Sequence, residues 1–420
     1  MHVAAVGADA AAQPVQRFGP YTSELQRLSD WLRGCHVTSV VLEATGSYWI
    51  PVYDHLEKAG FEVVLVDPRS LWRHLRKKTD QEDAQSLQEL HASGLLRGCF
   101  RPSEQVRQLR TLWRQRSHLV SQSAMLAQMI QKVLIQMNVH LHLAVSDVMG
   151  VTGLRILRTL VGGERNPAKL AAMREPTCHK SETEIAQALE GVWDASGLFE
   201  LKQHLQAWDF YQKQIHELDQ ELEKLGSTLP DRSEGQPLPP TSKRDKNKST
   251  PDFDARQMAF QIAGVDLTQV EGVHVNTVLA VLSETGAELS SFRSGRSFAA
   301  WTGLAPREHQ SGKRHWRPKY PAQGANRVAK ALRLAAQAVK KANTYLGAFY
   351  RRMLRRGGPG FAIRCTACKL ARLFWSLLTH RQPYDQHTWD NIMEKQHLKR
   401  LKALKKAALE FGCQLVPLAS

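Results

Sequence analysis

The chain has 420 residues, 42% of them hydrophobic, which is enough for two or three domains with their own cores and excludes a disordered chain. Lysine and arginine number 57 against 40 aspartates and glutamates, and the net charge of +17 favours an anionic partner, above all a nucleic acid. No apolar run of about 18 residues and no signal-peptide pattern is present, so we expect a cytoplasmic protein without a membrane partner.

Cysteine is sparse in this chain, with six residues in all. Two of them, Cys365 and Cys368, form a C-x-x-C pair inside an apolar segment with helical periodicity. A zinc site needs a second Cys or His pair at a suitable spacing, and none accompanies them. We therefore expect both thiols to pack inside the protein.

The first hundred residues alternate strand and helix patterns. Short β-branched runs at 2–6, 37–42 and 61–66 are typical of strands, and the segments 21–32 and 51–59 have helical periodicity. Alternation of this kind predicts an α/β domain, in which helices pack on a sheet.

Apolar residues then change to a spacing of three and four, in two long seams. The first seam is broken by Arg116 and Ser123, and the second is unbroken. Two such seams predict an antiparallel helical hairpin or a coiled coil, which offers a surface for pairing with another subunit. Ser181 and Glu184 have the spacing of a capping box and predict a helix start between the seams. The first seam consists of Val106, Leu109, Trp113, Val120, Ala127, Ile130, Leu134 and Met137, and the second of Leu201, Leu205, Trp208, Tyr211, Ile215, Leu218, Leu222 and Leu225.

The segment 230–252 is rich in proline, serine, glycine and charge, a composition typical of a linker or an exposed loop. The residues after it have mostly helical patterns. We therefore divide the chain into an α/β domain at 1–102, a helical coiled-coil region at 103–229, a linker at 230–252 and a mostly helical domain at 253–420. The predicted fold class is α/β plus all-α.

Two N-terminal segments carry the acidic residues of interest, V-V-L-E-A-T-G at 40–46 and K-T-D-Q-E-D-A at 78–84. Glu43 ends an apolar strand, where a side chain can point into the crevice beyond the sheet edge. Asp80 and Asp83 are three residues apart and share one face of a helix. Converging carboxylates repel one another unless cations intervene, and hard oxygen ligands suit Mg²⁺ or Mn²⁺. Two such ions can activate an attacking oxygen and stabilise a leaving one in phosphodiester chemistry.

The D-x-x-D pair by itself also fits a simpler interpretation. An aspartate at a helix start can cap the helix and interact with its dipole without any metal. What favours a catalytic site is the order of the two motifs, E-A-T-G followed by K-T-D-x-x-D-A.

The C-terminal half holds a second set of motifs. F-A-A-W-T-G-L-A-P at 298–306 precedes S-G-K-R at 311–314, and a helical segment follows at 324–338. Upstream of both lies the segment V-E-G-V-H-V-N-T at 270–277. A serine–glycine pair alone marks a turn, so its interest depends on the motifs around it.

Together these motifs resemble the DEDD insertion-sequence transposases, the group that includes the Piv and MooV recombinases. The resemblance covers nearly the whole chain apart from the linker. It implies an RNase H-like (RuvC-like) N-terminal domain in which Glu43, Asp80 and Asp83 are the second, third and fourth acidic residues of a Mg²⁺ or Mn²⁺ site. It also implies that Ser311, in a C-terminal transposase domain, attacks DNA and holds the phosphate as a phosphoserine.

The chain departs from the family pattern at two places. In the family the first acidic residue lies on an opening strand, ahead of a strand similar to 2–6, and Met1 begins where that opening strand should already have ended. Asp9 follows the second strand and matches no motif. We therefore expect either a start codon placed too far downstream or a degraded gene copy. The segment 270–277 resembles the family's helix–turn–helix of the hairpin type, whose backbone N–H groups can bind phosphates. There Glu271 and His274 replace a proline and a glycine of the family.

Cations near the acidic motifs would attract a polyanion that the carboxylates alone would repel. The residues expected to bind nucleic acid are Arg69, Arg73, Arg76, Lys77, Lys78, Lys313, Arg314 and Arg317. Further candidates are Arg107, Arg110, Arg114, Arg116, Arg351, Arg352, Arg355 and Arg356, with Trp49, Trp72 and Trp316 for base stacking. No motif that would read bases is present. That gap fits the family, whose members take their target sequence from a guide RNA encoded by the element.

Three functions remain open on the sequence. The first is an RNA-guided transposase or recombinase that cuts and rejoins DNA through metal-bound carboxylates and a phosphoserine, as a dimer or tetramer. The second is a RuvC-like junction nuclease that uses the carboxylates and water without Ser311. The third is a truncated, inactive transposase that only binds nucleic acid, which the missing first aspartate favours.

Overall fold

The structure of the chain is a computed structural model that describes residues 1–68, 79–241, 247–306, 309–312, 314–316, 326–385, 398, 401–405 and 407–414. At 309–311 and 314–316 it describes the backbone alone. The chain divides into two compact units, Met1–Arg101 and Pro102–Ser420. No helix within the described residues is long and apolar enough to cross a membrane. The predicted division into four regions stays a prediction.

The first unit combines two pairs of strands with helices. Strand β1 (His2–Ala5) pairs antiparallel with β2 (Val15–Phe18), and β3 (Ser39–Glu43) pairs parallel with β4 (Glu62–Val66). The helices are α1 (Thr22–Gly34), α2 (Trp49–Lys58) and α3 (Asp80–Ala92). Helix α2 is the crossover that a parallel strand pair requires.

The predicted alternation of strands and helices is confirmed, and the predicted bounds hold to within two residues. The pattern does not predict β2, because V-Q-R-F is only four residues long and half polar. Among the described residues the strands form two separate two-stranded sheets rather than one. Within the part of the chain that the structure describes, one edge of β1 and one edge of β3 therefore have no neighbouring strand.

The core of the first unit lies between α1 and α2. Leu25, Leu28 and Leu32 recur at helical spacing on α1 and pack with Val52 and Leu56 of α2, all of them buried. Each such side chain contributes roughly 1.5–3 kcal/mol on burial. The partly buried face of β3 packs against the same cluster, which fixes the position of the end of β3.

Helix α3 begins with a capped and acidic first turn. Thr79 is the N-cap, and its hydroxyl accepts a hydrogen bond from the Glu82 N–H at 3.3 Å. Asp80 follows the cap and is therefore not the capping residue. Its charge still interacts favourably with the helix dipole, as do those of Glu82 and Asp83.

The second unit opens with a long helix, α4 (Glu104–Gln136). The short helices that follow are α5 (Leu141–Ala144), α6 (Val151–Val161), α7 (Pro167–Ala171) and α8 (Glu182–Ala188). A second long helix, α9 (Ala195–Gly226), packs against α4. The two predicted seams thus lie on long helices that pack together. On α4, however, Leu119 and Leu126 are more buried than Val120 and Ala127, which the prediction assigns to the seam. Contact between two helices does not by itself make a coiled coil, so the coiled coil stays a prediction.

Both polar interruptions of the α4 seam have partners on α9. Arg116 forms a buried ion pair with Asp219, and Gln212 Nε2 donates to Ser123 Oγ at 2.5 Å. The two pairs are seven residues apart on each helix, in opposite chain directions, so they specify one antiparallel register. The Arg116 side chain is only 4% exposed. The prediction that Arg116 contacts nucleic acid is therefore wrong, because its guanidinium is used inside the helix pair.

Helix α8 begins with the predicted capping box. Ser181 Oγ accepts from the Glu184 N–H at 3.2 Å, and the Glu184 carboxylate accepts from the Ser181 N–H at 2.9 Å. The hydrogen bond from Lys180, followed by those from Ser181, lowers the pKa of Glu184 to about 2. The capping box predicted from the spacing is confirmed.

Beyond residue 252 the second unit is mostly helical, as predicted. Its elements are α10 (Ala255–Ala263), α11 (Val275–Thr285), α12 (Gly295–Trp301), β5 (His309–Ser311), β6 (Arg314–Trp316), α13 (Arg327–Ala338) and α14 (Tyr345–His380), with 3-10 turns at Leu267–Gln269 and Val339–Lys341. Helix α14 is broken at Gly357 and Gly358, whose backbone angles are not helical.

In the turn before α11, Gly272 has φ +73°, and a Cβ there would lie 2.7 Å from the Ala335 carbonyl oxygen. Only glycine fits this approach of the turn to α13.

Residues 230–252 contact several helices of the second unit in the part that is described. The Pro239 carbonyl accepts from Arg256 Nη2 at 2.6 Å, and the Ser249 carbonyl accepts from Asn276 Nδ2 at 3.1 Å. These contacts connect the segment to α10 and α11. Its role as a linker stays a prediction.

Cys365 and Cys368 lie on α14, and each is half-buried. Burial raises the pKa of both thiols. The protonated thiol therefore predominates at neutral pH, which fits the predicted packing of these side chains.

Candidate active site

Glu43 is the last residue of β3, at the carboxyl end of the parallel strand pair. The Ala44 N–H donates to the Val66 carbonyl at 2.9 Å, so the pairing with β4 continues one residue past Glu43. Thr45 Oγ1 donates to Glu43 Oε1 at 2.5 Å. The half-buried carboxylate is therefore oriented by the threonine of its own E-A-T motif.

Asp80 and Asp83 lie on the first turn of α3. The Asp83 N–H donates to the Thr79 carbonyl at 3.0 Å, which is the first hydrogen bond of the helix. Asp80 is exposed, whereas Asp83 is half-buried. Asp83 Oδ1 is buried without a hydrogen-bond partner among the described residues. A buried carboxylate oxygen without a partner is unfavourable, so this atom is suited to a cation or an added donor.

The three acidic residues line one cavity of the first unit, with a volume of about 880 Å³. Its walls include the whole of β1, the whole of β3 and the inward face of α3. Among the described strands, β1 pairs with β2 and β3 pairs with β4. Each of the two strands that border the cavity therefore has one edge that is not paired with another described strand. The structure thus brings Glu43, Asp80 and Asp83 to the same space, as the motif order predicts.

These residues fit a hard cation by donor type but do not form a closed ligand set. All three supply carboxylate oxygens, the donors that Mg²⁺ and Mn²⁺ prefer, and the unpartnered Asp83 Oδ1 is available to an ion. Within the described residues, however, no group of three or more His, Cys, Asp or Glu side chains is close enough to hold a metal. The arrangement is that of an incomplete site.

Ser311 belongs to the second unit, where it is the last residue of β5. The strand forms an antiparallel hairpin with β6, and Ser311 is paired in register with Arg314. Gly312, in the turn, has φ +57°, a conformation that the tight turns of hairpins use. The turn that the S-G pair predicts is confirmed. The predicted helix at 324–338 is observed at Arg327–Ala338.

Eight of the predicted nucleic-acid contacts lie outside the described residues. They are Arg69, Arg73, Arg76, Lys77, Lys78, Lys313 and Arg317, with Trp72. The side chains of Ser311, Arg314 and Trp316 are also outside the described part, although their backbones are placed on β5 and β6. These assignments stay predictions.

Trp49, predicted as a candidate for base stacking, has contacts within its own unit. The Arg101 guanidinium lies 4.9 Å from the centroid of the Trp49 ring and 3.8 Å from that of Tyr53. Trp49 Nε1 donates to the Gly46 carbonyl at 3.1 Å. Both the ring face and the indole N–H are thus used in packing around the start of α2.

Two transposase family models match the chain. A model described as a transposase, for the DEDD transposases of the IS110 type, matches residues 1–139, and the transposase IS116/IS110/IS902 family matches residues 266–351. Each of these two stretches is similar to a domain of IS110-family transposases. The first match contains Glu43, Asp80 and Asp83, and the second contains Ser311. The predicted resemblance to transposases is confirmed at the level of these domains.

The chain is also similar to a probable family 20 transposase of Pseudomonas aeruginosa. The two are 30% identical over 122 residues, which is 28% of this chain and 36% of that protein. The chain thus matches about a third of the length of this curated relative.

Sequence reasoning missed two residues of interest. Thr45 holds Glu43, and the short spacing of E-x-T is a signal that could have identified it. Glu284 forms an ion pair with Arg114, which is 170 residues away in the chain, so no local pattern identifies it.

Proposed function

We propose that the chain is a transposase that acts as a site-specific recombinase, cutting and rejoining DNA. The observation that carries the proposal is the cavity lined by Glu43, Asp80 and Asp83, in the unit that matches the DEDD transposase model. The net charge of +17 supports DNA as the partner, because release of counterions favours binding of cationic proteins to phosphate backbones.

Glu43, Asp80 and Asp83 would hold Mg²⁺ or Mn²⁺ in this proposal. When bound, the ions supply Lewis acidity for phosphodiester chemistry. The protein contributes the positions of the carboxylates: Thr45 orients Glu43, and the Thr79 cap fixes the turn that carries both aspartates. The unpartnered oxygen of Asp83 supports the assignment.

The cavity also supports a further strand between β1 and β3, as in an RNase H-like (RuvC-like) sheet. Both strands border the cavity, and each has an edge without a neighbouring strand among the described residues. An inserted strand would bond to both edges and join the two sheets into one. An aspartate near its end would be the fourth carboxylate and would complete the site.

Ser311 is the nucleophile in this proposal. Its oxygen forms a bond to phosphorus while the bond from phosphorus to one DNA ribose oxygen breaks. The serine proton passes to a base, and the released ribose oxygen takes up a proton. Attack by a DNA hydroxyl on the phosphoserine then rejoins the strand and frees the serine. Lys313, Arg314 and Arg317 would stabilise the negative charge of the transferring phosphoryl group.

The proposed partners are DNA, a guide RNA encoded by the element, and further copies of the chain. A dimer or tetramer is proposed because recombination must hold several DNA strands together. The packed pair of α4 and α9 supports an arm that pairs with another subunit.

A second candidate function is nucleic-acid binding without catalysis. One observation favours it, the lack of a closed metal-ligand group among the described residues. On this alternative the two domains are retained, but the chain occupies DNA or RNA without cutting it.

Strand transfer distinguishes these functions. The purified 420-residue chain is incubated with Mg²⁺, RNA transcribed from its element and DNA that carries the ends of the element. Rejoined products and DNA binding are measured in parallel. We expect Ser311→Ala and Asp80→Asn to abolish strand transfer while DNA binding stays within about twofold, since phosphate contacts supply most of the affinity. Cutting that persists in Ser311→Ala supports the junction nuclease.

Two matched variants control for folding. Ser121→Ala removes an exposed hydroxyl that donates to the Ser117 carbonyl of its own helix, and Asp30→Asn changes an exposed aspartate paired with Arg33. Both should behave as the wild type. If binding falls as much as transfer in Ser311→Ala and Asp80→Asn, their roles are structural and the assignment is wrong.

A further inference from the structure

Glu284, near the end of α11, is a buried carboxylate surrounded by three arginines. Arg114 donates from Nε to Oε1 and from Nη2 to Oε2, each at 2.7 Å. Arg110, one turn earlier on α4, donates from Nη2 to the Glu284 carbonyl at 2.6 Å, and its Nε is 3.2 Å from Oε2. Arg327 places Nε 3.9 Å from Oε1. We call Arg110, Arg114, Arg327 and Glu284 the Glu284 cluster.

The Glu284 cluster has more positive charge than its carboxylate can neutralise. Arg114 balances the charge of Glu284, and Arg110 binds a carbonyl in the last turn of α11, where cations stabilise a helix. Arg327 is within ion-pair distance of the same carboxylate but, at 3.9 Å, beyond hydrogen-bond reach. Three guanidiniums therefore surround one carboxylate, and Arg327 makes no hydrogen bond to that carboxylate among the described residues.

The position of Arg327 at the start of a helix makes its positive charge less favourable still. It is the first residue of α13, and the first turn of that helix contains no acidic residue. A cation at a helix N-terminus is unfavourable, because the N–H groups there already carry partial positive charge. The Arg327 side chain is 52% exposed and that of Arg114 is 43% exposed. Both guanidiniums are thus accessible to an anion from solvent, and Lys330, one turn along α13, is exposed as well.

We propose that the Glu284 cluster binds a phosphate of the DNA backbone. Guanidiniums match phosphate oxygens through paired N–H donors, and the bidentate bond to Glu284 holds Arg114 in a fixed orientation, which lowers the entropy cost of binding. The start of α13 adds helix N–H groups that favour an anion. The inference rests on the proposed function, because DNA is the polyanion that a transposase handles. The contact positions the backbone and reads no bases.

Salt-dependent binding tests the proposal on the full-length chain. Fluorescence anisotropy with a labelled duplex of arbitrary sequence gives the binding constant across about 50 to 200 mM salt, and each lost phosphate contact makes the slope of log K against log salt less negative by roughly 0.9. We expect this change in Arg327→Ala, with binding weakened several-fold at the low-salt end. Arg327→Lys should keep the wild-type slope, because lysine retains the positive charge. It should bind DNA less tightly than the wild type, because lysine lacks the guanidinium geometry.

Arg158→Ala is the matched control. Arg158 is an exposed arginine of the same unit with its own carboxylate partner, Asp209, at 2.8 Å, and we expect the wild-type slope. The proposal is overturned if Arg327→Ala keeps the wild-type slope, if Arg158→Ala changes it equally, or if only single-stranded RNA binding is affected. Failure of the wild type to bind DNA at all would contradict the proposed function instead, so the two failures are distinguishable.

Discussion

At the residue scale, two aspartates show how the surroundings decide the role of a carboxylate. Asp83 has a buried oxygen without a hydrogen-bond partner among the described residues. Asp266 has both oxygens bonded: Oδ1 accepts from the Thr268 hydroxyl at 2.6 Å, and Oδ2 accepts from Gln269 at 3.0 Å and from Arg256 at 2.5 Å. A carboxylate with an unused buried oxygen is suited to binding a ligand, whereas a saturated one holds the fold together.

Asp266→Asn is expected to destabilise the protein at neutral pH. Burial raises the pKa of Asp266, but the hydrogen bonds from Thr268, Arg256 and Gln269 outweigh burial, so the pKa lies below its usual value. The stabilisation is therefore fully present above the unfolded pKa of about 3.9 and is lost as pH falls through the lower folded pKa. At pH 7 the variant removes the negative charge of Asp266 from its ion pair with the Arg256 side chain, and breaking a buried pair of this kind costs roughly 3–5 kcal/mol.

Urea unfolding at pH 7 and again at the lowest pH where the wild type stays folded measures this effect. The difference between wild type and Asp266→Asn should shrink at the acidic end. A difference of the same size at both pH values would show that shape rather than charge matters at this position. Asp209→Asn, in an exposed ion pair, is the control and should cost less than about 1 kcal/mol.

The sequence predicts the acidic residues of the site better than the residues that hold them. Motif order placed Glu43, Asp80 and Asp83 together, and all three line one cavity. The Glu284 cluster has no such local signature, because its arginines come from α4 and α13 and meet Glu284 only in the folded second unit. Side-chain partners of high sequence separation depend on packing, which periodicity does not determine.

At the element scale, the α4 seam shows why a broken pattern is informative. Three-and-four spacing predicts two long helices, and both are present. The same pattern treats Arg116 and Ser123 as interruptions, because a single helix does not reveal its partner. Asp219 and Gln212 lie opposite them on α9, so the interruptions are interhelical polar pairs. Buried polar pairs of this kind select one register among several that apolar packing permits.

Asp219→Ala is expected to destabilise the helix pair by roughly 3–5 kcal/mol, because Arg116 then keeps a buried charge without its partner. The double variant Arg116→Met with Asp219→Leu should recover most of this loss, since apolar residues of similar volume replace buried ion pairs at little cost. Urea unfolding of both variants measures the recovery. If the double variant is as unstable as Asp219→Ala, the hydrogen bonds of this pair to the 249–252 segment carry the stability instead.

At the scale of the whole first unit, the main departure from prediction concerns the sheet. The strand patterns predict an α/β domain, and the described strands form two separate pairs with a cavity of about 880 Å³ bordered by β1 and β3. Local patterns identify strands but not which edges meet, because pairing depends on segments distant in sequence. Among the described residues, β1 and β3 each have an edge without a neighbouring strand, and both border a cavity with apolar and acidic walls. This arrangement favours an added strand that carries both apolar residues and a carboxylate.

The last prediction follows from that cavity. If the DNA upstream of codon 1 continues the frame with an apolar strand that contains an aspartate, the extended chain should slow amide hydrogen exchange along β1 and β3 by about tenfold or more, equivalent to about 1.4 kcal/mol. The physical reason is that the added strand would bond to both free edges and fill the cavity. An extension with a proline in the middle of the strand is the control, because it removes a ladder hydrogen bond. Exchange that is equally fast in the extended and original chains would show that β1 and β3 do not accept a strand, and the aspartate of the extension would then have no place beside Glu43.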